Sequence, residues 1–192
     1  MRGLNLGCGP NLLGEGWLNA DLHPIDARVL RLDATETFPF SAGEFDRVFT
    51  EHMIEHVSYE DGRFMLSECF RVLRPGGRIR VSTPGLEFLF GLLYRPDELT
   101  ERYVEWACGA FSPGQPVRAE TVINNFVRAW GHRYIYSRDA LMESMHAAAF
   151  PKPYTCSIGE SDDPAFVGLE NAGRMPESFL QLETMTIEAE KP

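Results

Sequence analysis

Cysteine is scarce and scattered in this 192-residue sequence. Cys8, Cys69, Cys108 and Cys156 stand far apart and form no C-x-x-C pair, which argues against both a zinc site of that kind and a disulfide framework. Free thiols in a reducing cytoplasm are the expectation. No apolar run approaches the ~20 residues that a membrane-spanning helix needs, so no membrane partner is expected. The N-terminus has no basic stretch followed by an apolar one, so no secretory leader is expected. Positive charge is also in short supply: 18 Lys and Arg face 28 Asp and Glu, for a formal net charge of -10. Such a chain has no general electrostatic attraction to nucleic acid or to an anionic membrane. A small-molecule partner is the default. Internal repeats and low-complexity tracts are absent too. What is present is a core, with 44% hydrophobic residues, enough for one domain of this length.

The stretch that organises the rest is Leu4-Asn5-Leu6-Gly7-Cys8-Gly9-Pro10. A short strand runs straight into a loop with glycine at alternate positions. Glycine there permits a positive φ and lets a ligand approach the main chain. Open α/β folds place nucleotide-like ligands at such strand ends. Taken alone, a Gly-x-Gly turn is as often only a tight turn.

Further strands are predicted at Trp17–Asp21, Val29–Asp33, Phe45–Thr50 and Arg78–Ser82. The clearest helix spans about Tyr59 to Leu73. Ser58 caps it with Asp61 three residues on, and Leu66, Cys69, Phe70 and Leu73 form its apolar stripe. Pro75-Gly76-Gly77 ends it and feeds the next strand, a crossover that predicts parallel fourth and fifth strands. Beyond Pro84 the texture changes. Leu86–Tyr94 is apolar and aromatic, and helices are predicted from Asp97 to Cys108 and from Ala119 to Trp130. The block from Leu86 to Gly131 exceeds what a crossover needs, and such insertions commonly carry substrate contacts or interfaces. A helix from Arg138 to about Ala148, a strand at Tyr154–Ile158 and a loop from Glu160 to Met175 follow. A strand over Leu180–Glu190 closes the chain, and its apolar face changes parity past Thr186, which points to a bulge or register change.

The connections between the first three strands are short. Gly7 and Asp21 stand closer together than the about 20 residues of the dinucleotide fingerprint. No helix of ordinary length fits between them, and Pro24 forbids a long one between Leu22 and Arg28. One face of this part of the sheet is therefore expected to lack helical cover. A later segment or a second subunit would have to close it, and the apolar run Leu86–Leu93 makes a homodimer one way to do so.

The ordered series Leu4-Asn5-Leu6-Gly7-Cys8-Gly9, Asn19-Ala20-Asp21, Leu32-Asp33-Ala34, Phe45-Asp46-Arg47-Val48 and Val72-Leu73-Arg74-Pro75-Gly76-Gly77-Arg78-Ile79-Arg80-Val81-Ser82-Thr83-Pro84 resembles that of class I S-adenosylmethionine-dependent methyltransferases. It is most similar to the small bacterial type 11-like branch, and the segment from His132 to Phe150 resembles that family too. The resemblance covers nearly the whole chain except Leu86–Gly131. It implies a Rossmann-like α/β fold: a seven-stranded mixed sheet, mostly parallel with an antiparallel last strand, and helices on the faces. It implies a single domain over 1–192 with a helical substrate or interface elaboration at about 86–131.

The cofactor it implies is S-adenosylmethionine, with S-adenosylhomocysteine as product and an oxygen or nitrogen of a small molecule as acceptor. By the same resemblance, the backbone of Gly7, Cys8 and Gly9 would meet the methionine part of the cofactor. Asp21 would accept hydrogen bonds from the ribose hydroxyls, with Leu22 on the adenine face. Asp33 would meet the adenine amino group, with Ala34 beside it, and Thr50 and Glu51 would face the methionine end. Family members often carry an acid before the first glycine. Asn5 and Leu6 stand there instead, so Glu51 is expected to take more of the contact with the cofactor's ammonium. His132 or His52 is the expected base for the acceptor. No metal ligand set is assigned.

Other readings stand beside this one. His52-Met53-Ile54-Glu55-His56 matches H-x-x-E-H, a short pattern that arises by chance. On a helix, His52 and His56 would lie one turn apart and chelate zinc with Glu55 as base, making a zinc hydrolase. A chain of this fold can also bind the cofactor without catalysis, as a partner or regulatory subunit. Phe126, Arg128, Trp130, His132, Arg133, Tyr134 and Tyr136 gather rings and positive charge in an acidic chain. They read either as an anion-holding acceptor pocket or as ordinary helix packing.

Overall fold

Apolar and polar residues alternate along the central strands, and the sheet sorts them onto opposite faces. The computed structural model describes the chain from Met1 to Pro192. Its seven-stranded sheet runs in the order β3-β2-β1-β4-β5-β7-β6. These are Gly3–Leu6 (β1), Trp17–Asp21 (β2), Val29–Arg31 (β3), Phe45–Glu51 (β4), Leu73–Pro84 (β5), Tyr154–Cys156 (β6) and Thr184–Glu190 (β7). Pairings from β3 across to β5 are parallel, and β7 runs antiparallel to both β5 and β6. The helices are Tyr59–Val72 (α1), Leu86–Tyr94 (α2), Glu98–Phe111 (α3), Ala119–Arg128 (α4), Arg138–Ala147 (α5) and Glu177–Glu183 (α6).

One face carries Leu4, Leu6, Val48, Ile79, Val81 and Ile187, all buried. They meet Met65, Leu66 and Cys69 of α1 and Leu141 and Met145 of α5 in one hydrophobic cluster of 24 residues. Each such fully buried side chain is worth about 1.5–3 kcal/mol against exposure. α1 begins as the sequence dictates: the Ser58 hydroxyl accepts from the backbone N–H of Asp61 at 3.1 Å.

The opposite face is polar and aromatic. In register across it lie Trp17, Asn19, Asn5, Phe49, Arg80 and Glu188. No helix covers it; residues 157–175 do, as a strap. Phe166 is fully buried against Trp17, with ring centroids 6.4 Å apart. Asp163 pairs with Arg47. The guanidinium of Arg80, itself fully buried, donates to Glu170 at 2.6 Å, to Glu188, and to the carbonyls of Glu160 and Ser157 at 2.9 and 3.1 Å. Glu170 also accepts from Ser82 at 2.9 Å and from the backbone of Gly159 at 3.0 Å. A later segment of the same chain thus closes the face that the short connections leave bare.

Two of the boundaries that differ from the sequence reading bear on the site. β3 ends at Arg31, so Asp33 lies past the strand tip in a turn, where its carboxylate accepts from the N–H and hydroxyl of Thr35 at 2.9 and 2.7 Å. The terminal strand begins at Thr184, not Leu180, because Glu177–Glu183 is α6. Phe179 turns at helical spacing into a second cluster, its ring 5.3 Å from that of Tyr103. β7 pairs with β5 without a register shift from Thr184 to Glu190, so the bulge or register change expected past Thr186 is absent. Helices α2 to α4, which spring from the carboxyl end of β5, supply the rest of that second cluster.

Arg80→Ala leaves two buried carboxylates without their cation. We expect a loss of about 3–5 kcal/mol in urea unfolding. A loss under about 1 kcal/mol would mean that the strap is held by its apolar contacts alone.

Candidate active site

The loop after β1 takes its shape from two glycines with φ of 69° at Gly7 and 47° at Gly9. A Cβ on Gly7 would sit 2.2 Å from Met53 Cγ, so only glycine fits. Around Gly9 there is open space within 4 Å on the side a Cβ would occupy. Asp21, at the tip of β2, ties this loop down: it accepts from Gly9 N at 2.9 Å and from His23 N at 2.8 Å. Thr35 holds the Asp33 carboxyl below the usual carboxylate range through its hydroxyl and its N–H.

These groups open on one cleft of about 630 Å³. Gly7, Gly9, Asp21, Leu22, Asp33 and Ala34 all line it, with Met53 and Val57 adding apolar wall. The cradle that a Cβ would fill, the two acids at successive strand tips and the apolar lining between them fit a nucleoside with a charged tail.

Three of the expected residues do not line this cleft. Cys8 is buried with its Sγ 3.5 Å from the Gly9 carbonyl, and burial together with the nearby Asp21 charge pushes its thiol up to about 11. Thr50 is buried under the sheet end, its hydroxyl without a hydrogen-bond partner. Glu51 faces the strap. Its two oxygens accept from Asn171 N at 3.0 and 3.1 Å, and one also accepts from the Asn11 amide at 3.3 Å. Glu51, expected at the cofactor's ammonium, is thus engaged by the strap that covers the bare sheet face.

A second cavity of about 330 Å³ adjoins the cleft, with His52, His56 and Trp130 lining both. Tyr103, Phe111 and Phe126 form its aromatic wall, and Glu55, His132, Arg174 and Glu183 its polar one. The backbone explains how such distant residues meet. His52 ends β4 in the left-handed region at φ 47°, and a single 3-10 turn, Ile54–His56, follows. The carbonyl of Glu55 accepts from Arg133 N at 2.7 Å and Tyr134 N at 3.2 Å. Trp130 and Gly131, at φ 56° and 77°, reverse the chain after α4 to deliver that pair. A left-handed tryptophan is a costly conformation, and it sits where the two spaces join.

The two candidate bases differ. Arg174 hydrogen-bonds His52 Nε2, and arginine only donates, so Nε2 accepts and Nδ1 carries the hydrogen. His132 Nδ1 lies 2.7 Å from the Phe126 carbonyl, which only accepts, so Nδ1 donates and Nε2 keeps a free lone pair. Burial holds the His132 imidazole below its ordinary value. The structure also removes the frame of the zinc-hydrolase pattern. His52 stands outside any helix, and His56 instead faces His132, with ring centroids 4.9 Å apart. Arg174 and Glu183 reach the cavity from the strap and α6, with Glu183 accepting from the Tyr103 hydroxyl. Nothing local in the sequence marks them.

Residues 10–81 match a family model described as methyltransferase domain. No curated protein sequence matches the chain. Several solved structures share the fold. An S-adenosylmethionine-dependent methyltransferase from Archaeoglobus fulgidus is 15% identical with a TM-score of 0.58, over 99% of this chain and 86% of that one. Phosphoethanolamine N-methyltransferase 2 from Haemonchus contortus, in complex with S-adenosylmethionine, is 17% identical with a TM-score of 0.51, over 100% of this chain and 48% of that one. A Bordetella parapertussis protein described as a possible exported protein is 14% identical with a TM-score of 0.56, over 100% of this chain and 62% of that one. Likeness at such identities establishes the fold.

The thiolate is the reactive form of cysteine. With its thiol raised to about 11, Cys8 should alkylate slowly with iodoacetamide at pH 8 and faster as pH climbs toward 11. Peptide mapping of the labelled protein reads this directly. Rapid labelling of Cys8 at pH 7 would contradict it.

Proposed function

We propose that the chain is an S-adenosylmethionine-dependent methyltransferase, a reading supported by the methyltransferase-domain match over residues 10–81 and by the shared fold, and that it methylates an oxygen or nitrogen of a small-molecule acceptor held in the cavity beside the cleft. The observation that carries this is the junction: His52, His56 and Trp130 line both spaces, so donor and acceptor sites open on each other. When bound, the cofactor supplies a methyl carbon activated by its sulfonium. The chain's task is then alignment, exclusion of water and removal of a proton.

Asp21 would hold the ribose hydroxyls and Asp33 the adenine amino group, with Leu22 and Ala34 against the ring. The glycine loop gives the methionine part room beside the main chain. The rings of Tyr103, Phe111 and Phe126 orient the acceptor by apolar contact. Removal of the acceptor's proton depends on His132, the imidazole with a free nitrogen. His52, tied to Arg174, positions the wall between the two spaces.

The strap removes the need for a second subunit over the sheet. The exposed Phe90, Leu93 and Tyr94 of α2 remain as the apolar surface on which a homodimer would form. Four free cysteines suit a reducing compartment such as the cytoplasm. No helix is long and apolar enough to cross a membrane.

Calorimetric titration with S-adenosylhomocysteine tests the reading. Wild-type protein should bind it, and Asp21→Ala should weaken binding at least about tenfold, the loss of one charged hydrogen-bond partner. His132→Ala should bind it as wild type does, yet lose about 10²–10⁴ in turnover once an acceptor is found by screening for homocysteine-nucleoside release. No binding by the wild type would overturn the proposal.

A further inference from the structure

We infer that Glu55, His56 and His132 form a site for one divalent transition-metal ion in the wall of the acceptor cavity. One ligand atom from each residue lies within 4.8 Å of the other two. Some point is then no more than about 2.8 Å from all three, against the about 2.1 Å of a zinc–nitrogen or zinc–oxygen bond. An inward shift of about 0.7 Å, within reach of side-chain torsions, closes the gap.

Two independent features say that the site awaits a cation. Glu55 is fully buried. Its Oε2 accepts from the Thr83 hydroxyl at 2.9 Å, while its Oε1 has no hydrogen-bond partner. Its nearest donor, the Nδ1–H of His52 at 3.3 Å, is an electrostatic partner that falls short of hydrogen-bond geometry. A buried carboxylate oxygen left in this state is costly, and a cation satisfies it.

The second feature is the tautomer of His132. Its Nδ1–H is spent on the Phe126 carbonyl at 2.7 Å, which leaves the Nε2 lone pair free to ligate. A backbone carbonyl on the far nitrogen is the arrangement that orients histidines as metal ligands.

The donor set names the class of ion. Two imidazoles and one carboxylate suit zinc, cobalt or iron(II) and do not suit magnesium or calcium, which prefer oxygen. Three protein ligands leave coordination positions open, as catalytic sites do, and all three residues line the acceptor cavity. This differs from the hydrolase pattern in the sequence: Glu55 is a ligand here, and His52 is not.

The use of the ion rests on the methyltransferase reading; the site itself does not. An acceptor hydroxyl coordinated there would release its proton to water near neutral pH, and its oxygen would take the methyl carbon as that carbon's bond to the sulfonium sulfur breaks. His132 would then serve proton removal by holding the ion, and the acceptor would be a hydroxyl compound.

The test uses the full chain stripped with a chelator and titrated with cobalt(II), read by visible absorption and by elemental analysis, with homocysteine-nucleoside binding measured separately. Wild type should bind one equivalent, displaced by zinc. His132→Ala and Glu55→Gln should each weaken cobalt binding at least tenfold, with circular dichroism showing that they fold. Failure of the wild type to bind cobalt, or equal binding by wild type and a folded His132→Ala, would overturn the site. If cobalt fails while the homocysteine nucleoside binds, the methyltransferase reading stands and only this inference falls; the reverse result sinks the first and keeps the second.

Discussion

A single guanidinium, buried in the middle of a sheet, sets the terms for half of this molecule. Arg80 lies on β5 with the polar residues of its face, and its cost of burial is met only by complete pairing. Glu188 answers it from the neighbouring strand, and Glu170 and two carbonyls answer it from the strap. Truncating one partner of such a group leaves the others unpaired, which is why the arrangement holds together as a unit. The strap cannot lift without stripping the arginine, and the arginine could not sit there without the strap.

The site inherits its form from that constraint. Short connections after β1 and β2 deny one face its helices, so the strap occupies it and claims Glu51. The same strap ends at Arg174, which reaches over to fix the ring of His52. The cleft is thus built from strand tips and glycine loops, and the cavity beside it from what the strap, the 3-10 turn after β4 and the helical block bring to its edge. Sheet and strap make one half of the chemistry, and the apolar cluster around Phe88, Tyr103 and Phe126 makes the other.

The strand-tip residues were legible because their signals are local. Gly7 and Gly9 declare a positive φ, Asp21 and Asp33 close alternating strands, and each appears in the cleft. The parallel pairing of β4 with β5 followed from the crossover at α1, and the seven-stranded sheet with an antiparallel last strand from the family resemblance. What could not be read depends on contacts across the whole chain. Glu51 has the same sequence context whether it faces a ligand or a strap, and only the missing helices decide. Leu180 to Glu183 alternate well enough for a strand, yet Phe179 has a ring partner in α3 that favours a helix. In the H-x-x-E-H stretch the residues were visible but their frame was not. The left-handed turn at His52 breaks the helix that the pattern presumes, and His132 enters from a distant segment.

The place of β7 in the sheet has a consequence for biosynthesis. β6 touches the sheet only through β7, and β7 lies between β6 and β5 although it is the last strand in the chain. On a ribosome, the strands up to β5 would emerge with Arg80 uncovered and an open sheet edge beside it. Neither is satisfied until residues 157–190 arrive. Unpaired edges of this kind are what chaperones shield during translation. The nascent chain should therefore stay sticky until its final strand slots in, and then lock abruptly.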